Sequence, residues 1–176
     1  MKGVLDLKRT GLCSAALAGY FIFAPFAAAA ESVTKVATFN DWSLYADANT
    51  PHVFCFVLSE PKSSEPSAAT RTTPLIYISA WPKDGVKAEV SLRMGFPVKS
   101  GSEPSIKVGD AQFKLFGSED RIYVKDATVE LKLVDAMKKG AELTAEATSE
   151  RGKTITDSYS LSGLGQATAK MQEVCF

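Results

Sequence analysis

Three cysteines, Cys13, Cys55 and Cys175, and a single histidine, His52, are the whole stock of thiol and imidazole in this 176-residue chain. That stock limits the available chemistry. One imidazole with widely separated thiols matches no zinc-ligand spacing, and the lack of a CxxC pair removes support for redox catalysis of the thioredoxin kind. A serine nucleophile would have to recruit His52, yet no GxSxG elbow stands near any serine to present it. GLGQATA, beginning at Gly163, imitates a dinucleotide fingerprint, but only 14 residues run from Gly163 to the terminus, too few for a second strand and a ribose-binding acid. Carboxylate pairs are the remaining acid–base chemistry, with Asp41 and Asp157 the members of interest. Asp157 alternates in phase with Ile155, Tyr159 and Leu161, which aims its carboxylate toward the core side, where a structural hydrogen bond accounts for it better than catalysis does. Trp42 and Trp81 offer rings that could stack on a sugar or peptide, although strand aromatics usually serve packing. No catalytic residue, cofactor or metal ligand is assigned.

The N-terminus supplies the compartment in which the remaining cysteines must be judged. Lys2, Lys8 and Arg9 precede an apolar run that ends in small residues, with Ala28 and Ala30 at the positions a signal peptidase reads. We expect a signal peptide over residues 1–30, cleaved after Ala30. The alternative is an uncleaved anchor, because the 21 residues from Thr10 to Ala30 carry no charge and are long enough to span a bilayer. Pro25 and the alanine string favour cleavage. Leu12 stands where a lipobox needs a small residue, so Cys13 is expected to leave with the leader. Removal of the leader takes three basic residues and one acidic residue from a chain with 20 of each, leaving 17 against 19 and a net charge of −2. Such a charge does not select a polyanion such as nucleic acid as partner.

Export leaves Cys55 and Cys175 as an even pair in an oxidising compartment, where a disulfide is the expected state. The bond would close a loop of about 120 residues and, on the chain-entropy model, stabilise the fold by about 4–5 kcal/mol. The alternative is two buried thiols that never meet.

Around these residues the chain reads as one all-β domain over residues 31–176. It is large enough to bury roughly 68–70% of its unfolded surface. Short apolar runs punctuated by Gly, Pro, Ser and Asn suggest eight or nine strands. Trp42 and Leu44 alternate with Ser43 and Tyr45 in an expected first strand, and VFCFVL, from Val53 to Leu58, is apolar on both faces as a central strand would be. LIYISAW at 75–81, AEVSLRM at 88–94, AQFKLF at 111–116 and RIYV at 121–124 continue the series. ELTAEATS and KTITDSYSL flank Gly152 as a hairpin. Thr128 to Lys139 instead has apolar residues at helical spacing, with Gly140 as C-terminal cap and Lys138 and Lys139 in the last turn, where the helix dipole favours them. A second helix is expected to run from an N-cap at Ser162 toward Cys175. These elements predict a β-sandwich with one short late helix and one C-terminal helix.

The stretch from Ser59 to Pro74, SEPKSSEPSAATRTTP, has no large apolar residue and reads as a surface loop. Loops held on a rigid scaffold often carry function, which makes Lys62, Glu65 and Arg71 the candidates for partner contact.

DWSLY from Asp41, Cys55 within VFCFVLSEPK, EVSLRMGFP, LVDAMKKG, SERGKTITDSYSLSG and the terminal Cys175, in that order and spacing, resemble the invasion-associated locus B proteins. The resemblance covers essentially the whole of residues 31–176. It implies an exported, β-rich alphaproteobacterial protein of the periplasm or cell envelope, whose family namesake is linked to host-cell entry, and it brings no catalytic residue or cofactor. One departure is Gly152-Lys153, where Thr or a similar residue would be expected. The expected function is therefore a noncatalytic interaction module whose partner is a protein or envelope component. Two alternatives belong to other classes: a periplasmic carrier holding a small hydrophobic or glycan ligand between sheets, and an envelope hydrolase using Asp41 or Asp157.

Overall fold

The computed structural model describes residues 33–47, 50, 52–67 and 71–176. The leader expected over residues 1–30 and its cleavage point at Ala30 lie outside them. Twelve strands occur among the described residues. Seven form one antiparallel sheet, in spatial order β1 (Val33–Phe39), β2 (Trp42–Asp47), β3 (Cys55–Ser59), β5 (Leu75–Trp81), β6 (Val86–Arg93), β10 (Arg121–Tyr123) and β9 (Phe116–Ser118). Five form the second, in order β4 (Ser63–Glu65), β12 (Thr154–Ser160), β11 (Glu142–Thr148), β7 (Ser105–Val108) and β8 (Ala111–Lys114). The two sheets make the expected β-sandwich. Two helices complete it, α1 (Ala127–Lys139) and α2 (Leu164–Cys175).

Alternation of side chains along the strands builds the core, because successive residues point to opposite faces. Trp42, Leu44 and Ala46 of β2, Cys55 and Val57 of β3, and Ile76 and Ile78 of β5 are buried on one face of the large sheet. Ile106, Leu143, Ala145 and Tyr159 are buried on the smaller sheet. Each fully buried large apolar side chain stabilises the fold by about 1.5–3 kcal/mol. Helix α2 adds Leu164, Ala167 and Met171 to this interior and packs against β2 and β3, while α1 contributes Leu133, Val134 and Met137.

Several expectations need correction. The strand at Trp42 is the second, because VTKVATF pairs with it as β1 although most of β1 is exposed. AQFKLF divides into β8 and β9, which lie in different sheets, with Leu115 turning inward between them. Ser162 is not the N-cap of α2. Gly163 holds that place at φ 92°, and a Cβ there would sit 2.0 Å from the Phe39 carbonyl oxygen. Ser162 instead accepts a hydrogen bond from Asn40 Nδ2 at 2.9 Å, fastening the start of α2 to the β1–β2 turn. Gly140 follows α1 as expected, but in an extended conformation. Its requirement is close packing, since a Cβ would lie 2.6 Å from Val108 Cγ1. The α1 N-cap is Asp126, whose carboxylate accepts from the Thr128 and Val129 amides at 2.8 and 2.9 Å.

Candidate interaction surface

The segment from Ser59 to Pro74 is not a plain loop. Ser63–Glu65 forms β4 and pairs with β12, placing Glu65 opposite Thr156 at the edge of the five-stranded sheet. Glu65 is exposed. The Lys62 side chain is 56% exposed and forms an ion pair with Asp41, while its amide donates to the Ser158 carbonyl at 2.7 Å. Arg71 departs from the expectation of a surface contact. Its side chain is 7% exposed and is ion-paired with Asp157, which is 0% exposed.

That buried pair is densely bonded. Arg71 Nη1 donates to Asp157 Oδ2 and to the Met94 carbonyl, both at 2.9 Å, and Nη2 donates to Ser64 Oγ at 2.7 Å. Ser64 in turn donates to Asp157 Oδ1 at 2.6 Å. A buried carboxylate is costly unless paired, and here a guanidinium and a hydroxyl compensate it. The core-side direction read from the alternation of β12 is therefore correct, and the carboxylate pins the 59–74 segment to the sandwich. The other carboxylate of interest, Asp41, is held below the ordinary acid range by hydrogen bonds from Lys62 and then Ser160. Each carboxylate is committed to its own cation, an arrangement suited to structure rather than proton transfer.

Cys55 and Cys175 form the expected disulfide, with their Cα atoms 6.2 Å apart. It joins the inward face of β3 to the last residue of α2. His52 lies beside it and donates from Nδ1 to the Cys175 carbonyl at 3.1 Å. Among the described residues, no group of three His, Cys, Asp or Glu side chains is placed to hold a metal.

The opposite face of the seven-stranded sheet presents a different kind of surface. With Leu44, Cys55, Val57, Ile76 and Ile78 pointing inward, Tyr45, Phe56 and Tyr77 must point outward. Register aligns them: Tyr45 faces Phe56 across β2 and β3, and Tyr77 faces Leu58 on the next rung. Tyr45 and Phe56 stack with ring centroids 5.2 Å apart and planes 7° from parallel. Phe56 continues to Tyr77 at 5.9 Å and to Phe54 at 5.3 Å, and Phe54 meets Trp81 at 4.1 Å. A second aromatic pair, Phe116 and Tyr123 at 5.4 Å, extends the surface across β9 and β10. All seven rings are half-buried.

Cations close the ends of this array. Lys35 Nζ lies 5.6 Å from the Tyr45 ring centroid, Arg121 lies 5.4 Å from that of Tyr77, and Lys125 lies 4.5 Å from that of Phe116. Such contacts are attractive because the π face is negative. A hollow of about 290 Å³ beside Tyr45, lined also by Lys35, Asp41 and Lys62, joins the face to the start of the 59–74 segment. Lys62 thus borders the aromatic surface, whereas Glu65 lies on the other sheet. The two tryptophans separate: Trp42 is 0% exposed and donates Nε1 to the Ser160 carbonyl at 3.0 Å, while Trp81 belongs to the outer array. Sequence reading passed over that array by treating strand aromatics as packing. Its signal was nevertheless present in aromatic residues out of phase with their apolar neighbours: Tyr45 after Leu44, Phe56 between Cys55 and Val57, and Tyr77 between Ile76 and Ile78.

Fold and surface together define a disulfide-tied β-sandwich that presents one aromatic sheet face bordered by cations and carboxylates alike. The chain belongs to the invasion associated locus B (IalB) protein family, whose model matches residues 42–172, from β2 into α2. Among solved structures, the crystal structure of invasion associated protein b from Bartonella henselae is similar, with a TM-score of 0.55 and 17% sequence identity. The match covers 78% of this chain and 95% of that one. No curated protein matches the sequence. The family expected from DWSLY, EVSLRMGFP and SERGKTITDSYSLSG is thus the family found.

Proposed function

We propose that the protein is an exported, envelope-associated, noncatalytic interaction module that docks a macromolecular partner on the outer face of its seven-stranded sheet. The observation that carries this reading is the array from Tyr45 through Phe56 to Tyr77 and Trp81, half-buried and closed by Lys35 and Arg121. Protein-binding surfaces are enriched in Tyr, Trp, Phe and Arg at their centres and place other charges at their rims. Rigid rings also lose little conformational freedom when they are covered. The fold supports the reading by fixing the rings on adjacent hydrogen-bonded strands.

A photocrosslinking side chain at position 77, introduced in the producing cells, tests the docking face. An adduct with a discrete partner is expected from there and none from position 146 on β11 of the other sheet; the reverse pattern rejects the face. Cleavage of the leader has its own check: an intact mass beginning at Glu31 supports it, and a chain still beginning at Met1 rejects it. Host-cell entry is the finer form of the proposal, supported by the family name. It requires the captured partner to come from host membranes rather than the producer's own envelope.

The carrier reading has a cleft in which to act. Arg71, Phe96 and Pro97 line an open cleft of about 480 Å³ with Ser149, Arg151 and Lys153 of the β11–β12 turn. Native mass spectrometry of protein purified from its producing cells would show a bound small molecule if this cleft carries one.

A further inference from the structure

We infer that the edge of β6 from Val86 to Val90 takes an extended peptide as an added strand, in the groove that this edge shares with α1 and α2. The site is separate from the outer face of the sheet and does not depend on it.

β5 pairs along one side of β6, but β10 pairs along the other only from Ser91 to Arg93. Among the described residues, no strand lies beside Val86 to Val90 on that second side. Such an edge leaves backbone donors and acceptors without a ladder partner, and proteins cover it. Here two side chains do so. Glu130 of α1 accepts from the Val90 amide at 2.7 Å, and Gln172 of α2 donates from Nε2 to the Lys87 carbonyl at 3.0 Å. A carboxylate oxygen thus stands where a neighbouring strand would place a carbonyl, and a carboxamide N–H where it would place an amide.

Open space follows the same edge. Lys87 and Ala88 line a groove of about 450 Å³ with residues of both helices, and Glu89, Val90 and Glu130 line a second hollow of about 350 Å³ with Tyr123, where β10 ends. The two hollows follow one another along about 17 Å of strand. Val134 and Met171 are buried in the wall of the first and Leu131 is exposed beside them, which makes it a place for an apolar side chain. On its α2 wall, Gly165 has no neighbouring atom within 4 Å of an added Cβ.

The two backbone positions select the occupant. An acyl chain could fill the apolar groove but offers nothing to Val90 or Lys87. A helix has its main-chain groups bonded internally and brings only side chains. An extended peptide supplies acceptor and donor from its own backbone and turns alternate side chains toward the hollows, the means by which strand addition gains affinity and specificity. Its binding exchanges the Glu130 and Gln172 hydrogen bonds for main-chain ones.

The test uses protein purified from its producing cells with the disulfide intact. The probe is a library of soluble nonapeptides with Val, Ile or Leu at alternate positions and Ser, Thr or Lys between them, compared with oleate and with an amphipathic helix closed by a side-chain staple. Hydrogen exchange locates what binds. A library member is expected to protect Val86 to Val90 together with α1 and α2. Remade with N-methyl groups on every second amide, that peptide should lose about tenfold in affinity in one phase and little in the other, because alternate amides of an added strand face the sheet. Gln172→Ala frees the Lys87 carbonyl and should tighten binding about threefold. Gly165→Leu fills the groove and should weaken it about tenfold. Gln172 is a partly exposed side chain, so its variant decides the matter if Gly165→Leu does not fold. No binder in the library, equal losses in both N-methyl phases, protection away from β6, preference for oleate or the stapled helix at this edge, or affinity indifferent to the substitutions overturns the inference. An adduct from position 77 alongside any of these results leaves the outer docking face standing.

Discussion

Arg71 and Asp157 show how one residue type can carry two opposite meanings in a sequence. Arginine in a Ser- and Pro-rich stretch reads as a solvent-facing contact, whereas the folded chain buries it against a carboxylate 86 residues away. Only the partner's phase was visible locally: Asp157 falls on the core side of an alternating strand, but nothing along the chain names the cation that meets it. Replacing Arg71 with alanine should cost about 3–5 kcal/mol, because an unpaired carboxylate would remain buried. Urea unfolding measures this loss. The double replacement Arg71→Met, Asp157→Leu should recover much of it, and an equal or larger loss would show that the hydrogen bonds to Ser64 and Met94 matter more than the charge.

Two carboxyls near the surface give the residue scale a pH signature. Asp126 is held below its ordinary value of 3.8 by the Val129 and Thr128 amides, and Asp41 below the same value by Lys62 and Ser160. A lowered folded pKa means that the unfolded chain binds the proton more readily. The stabilisation is therefore complete above the ordinary value and is lost as pH falls through the lowered one. Asp126→Asn retains a capping side chain without a titrating group, so its unfolding midpoint should approach that of the parent protein as the pH drops below 3.8. A difference that stays constant through that range would remove Asp126 from the acid response. Glu130 acts in the opposite sense. Burial raises its pKa, which erodes its contribution as pH climbs above its ordinary value of 4.5.

At the scale of elements, legibility followed the strength of side-chain periodicity. LIYISAW coincides with β5, ELTAEATS overruns β11 by one residue and KTITDSYSL overruns β12 by one at each end, and the helical spacing of Val129, Leu133 and Met137 locates α1 within one residue at its start. β1, β4 and β7 were missed. β1 is mostly exposed and β4 consists of Ser, Ser and Glu, so neither displays the alternation of a half-buried strand; β7 has only four residues. Pairing with a neighbouring strand, invisible in local composition, specifies all three. The disulfide gives this scale its prediction. Reduction should lower stability by about 4–5 kcal/mol on the loop-entropy account and raise amide exchange first in α2, which would lose its covalent hold on β3. Denaturation with and without reductant, followed by exchange, checks both, and unchanged α2 protection would mean that Leu164, Ala167 and Met171 suffice to hold the helix.

At the scale of the molecule, the all-β class, the sandwich and the family were readable because alternating strands need two packed layers and because the motifs run along nearly the whole domain. The candidate surface was not. Tyr45, Phe56 and Tyr77 are separated by 11 and 21 positions in sequence and become one surface only through the β2–β3–β5 register. Aromatic residues interleaved with aliphatic ones were readable, but deciding which of the two sets faces the core required knowing which side the second sheet and α2 cover.

The bond between Cys55 and Cys175 also governs how the molecule carries tension. A force applied through segments on either side of the cross-link bypasses the 120-position separation it closes. At roughly 3.3–3.6 Å per extended residue, about 400 Å of contour is thereby withheld from stretching. With the bond intact, most of the sandwich lies off the load path. A pull applied between a segment before Cys55 and the residue after Cys175 meets a short mechanical link, and cutting the bond exposes that hidden length to the load.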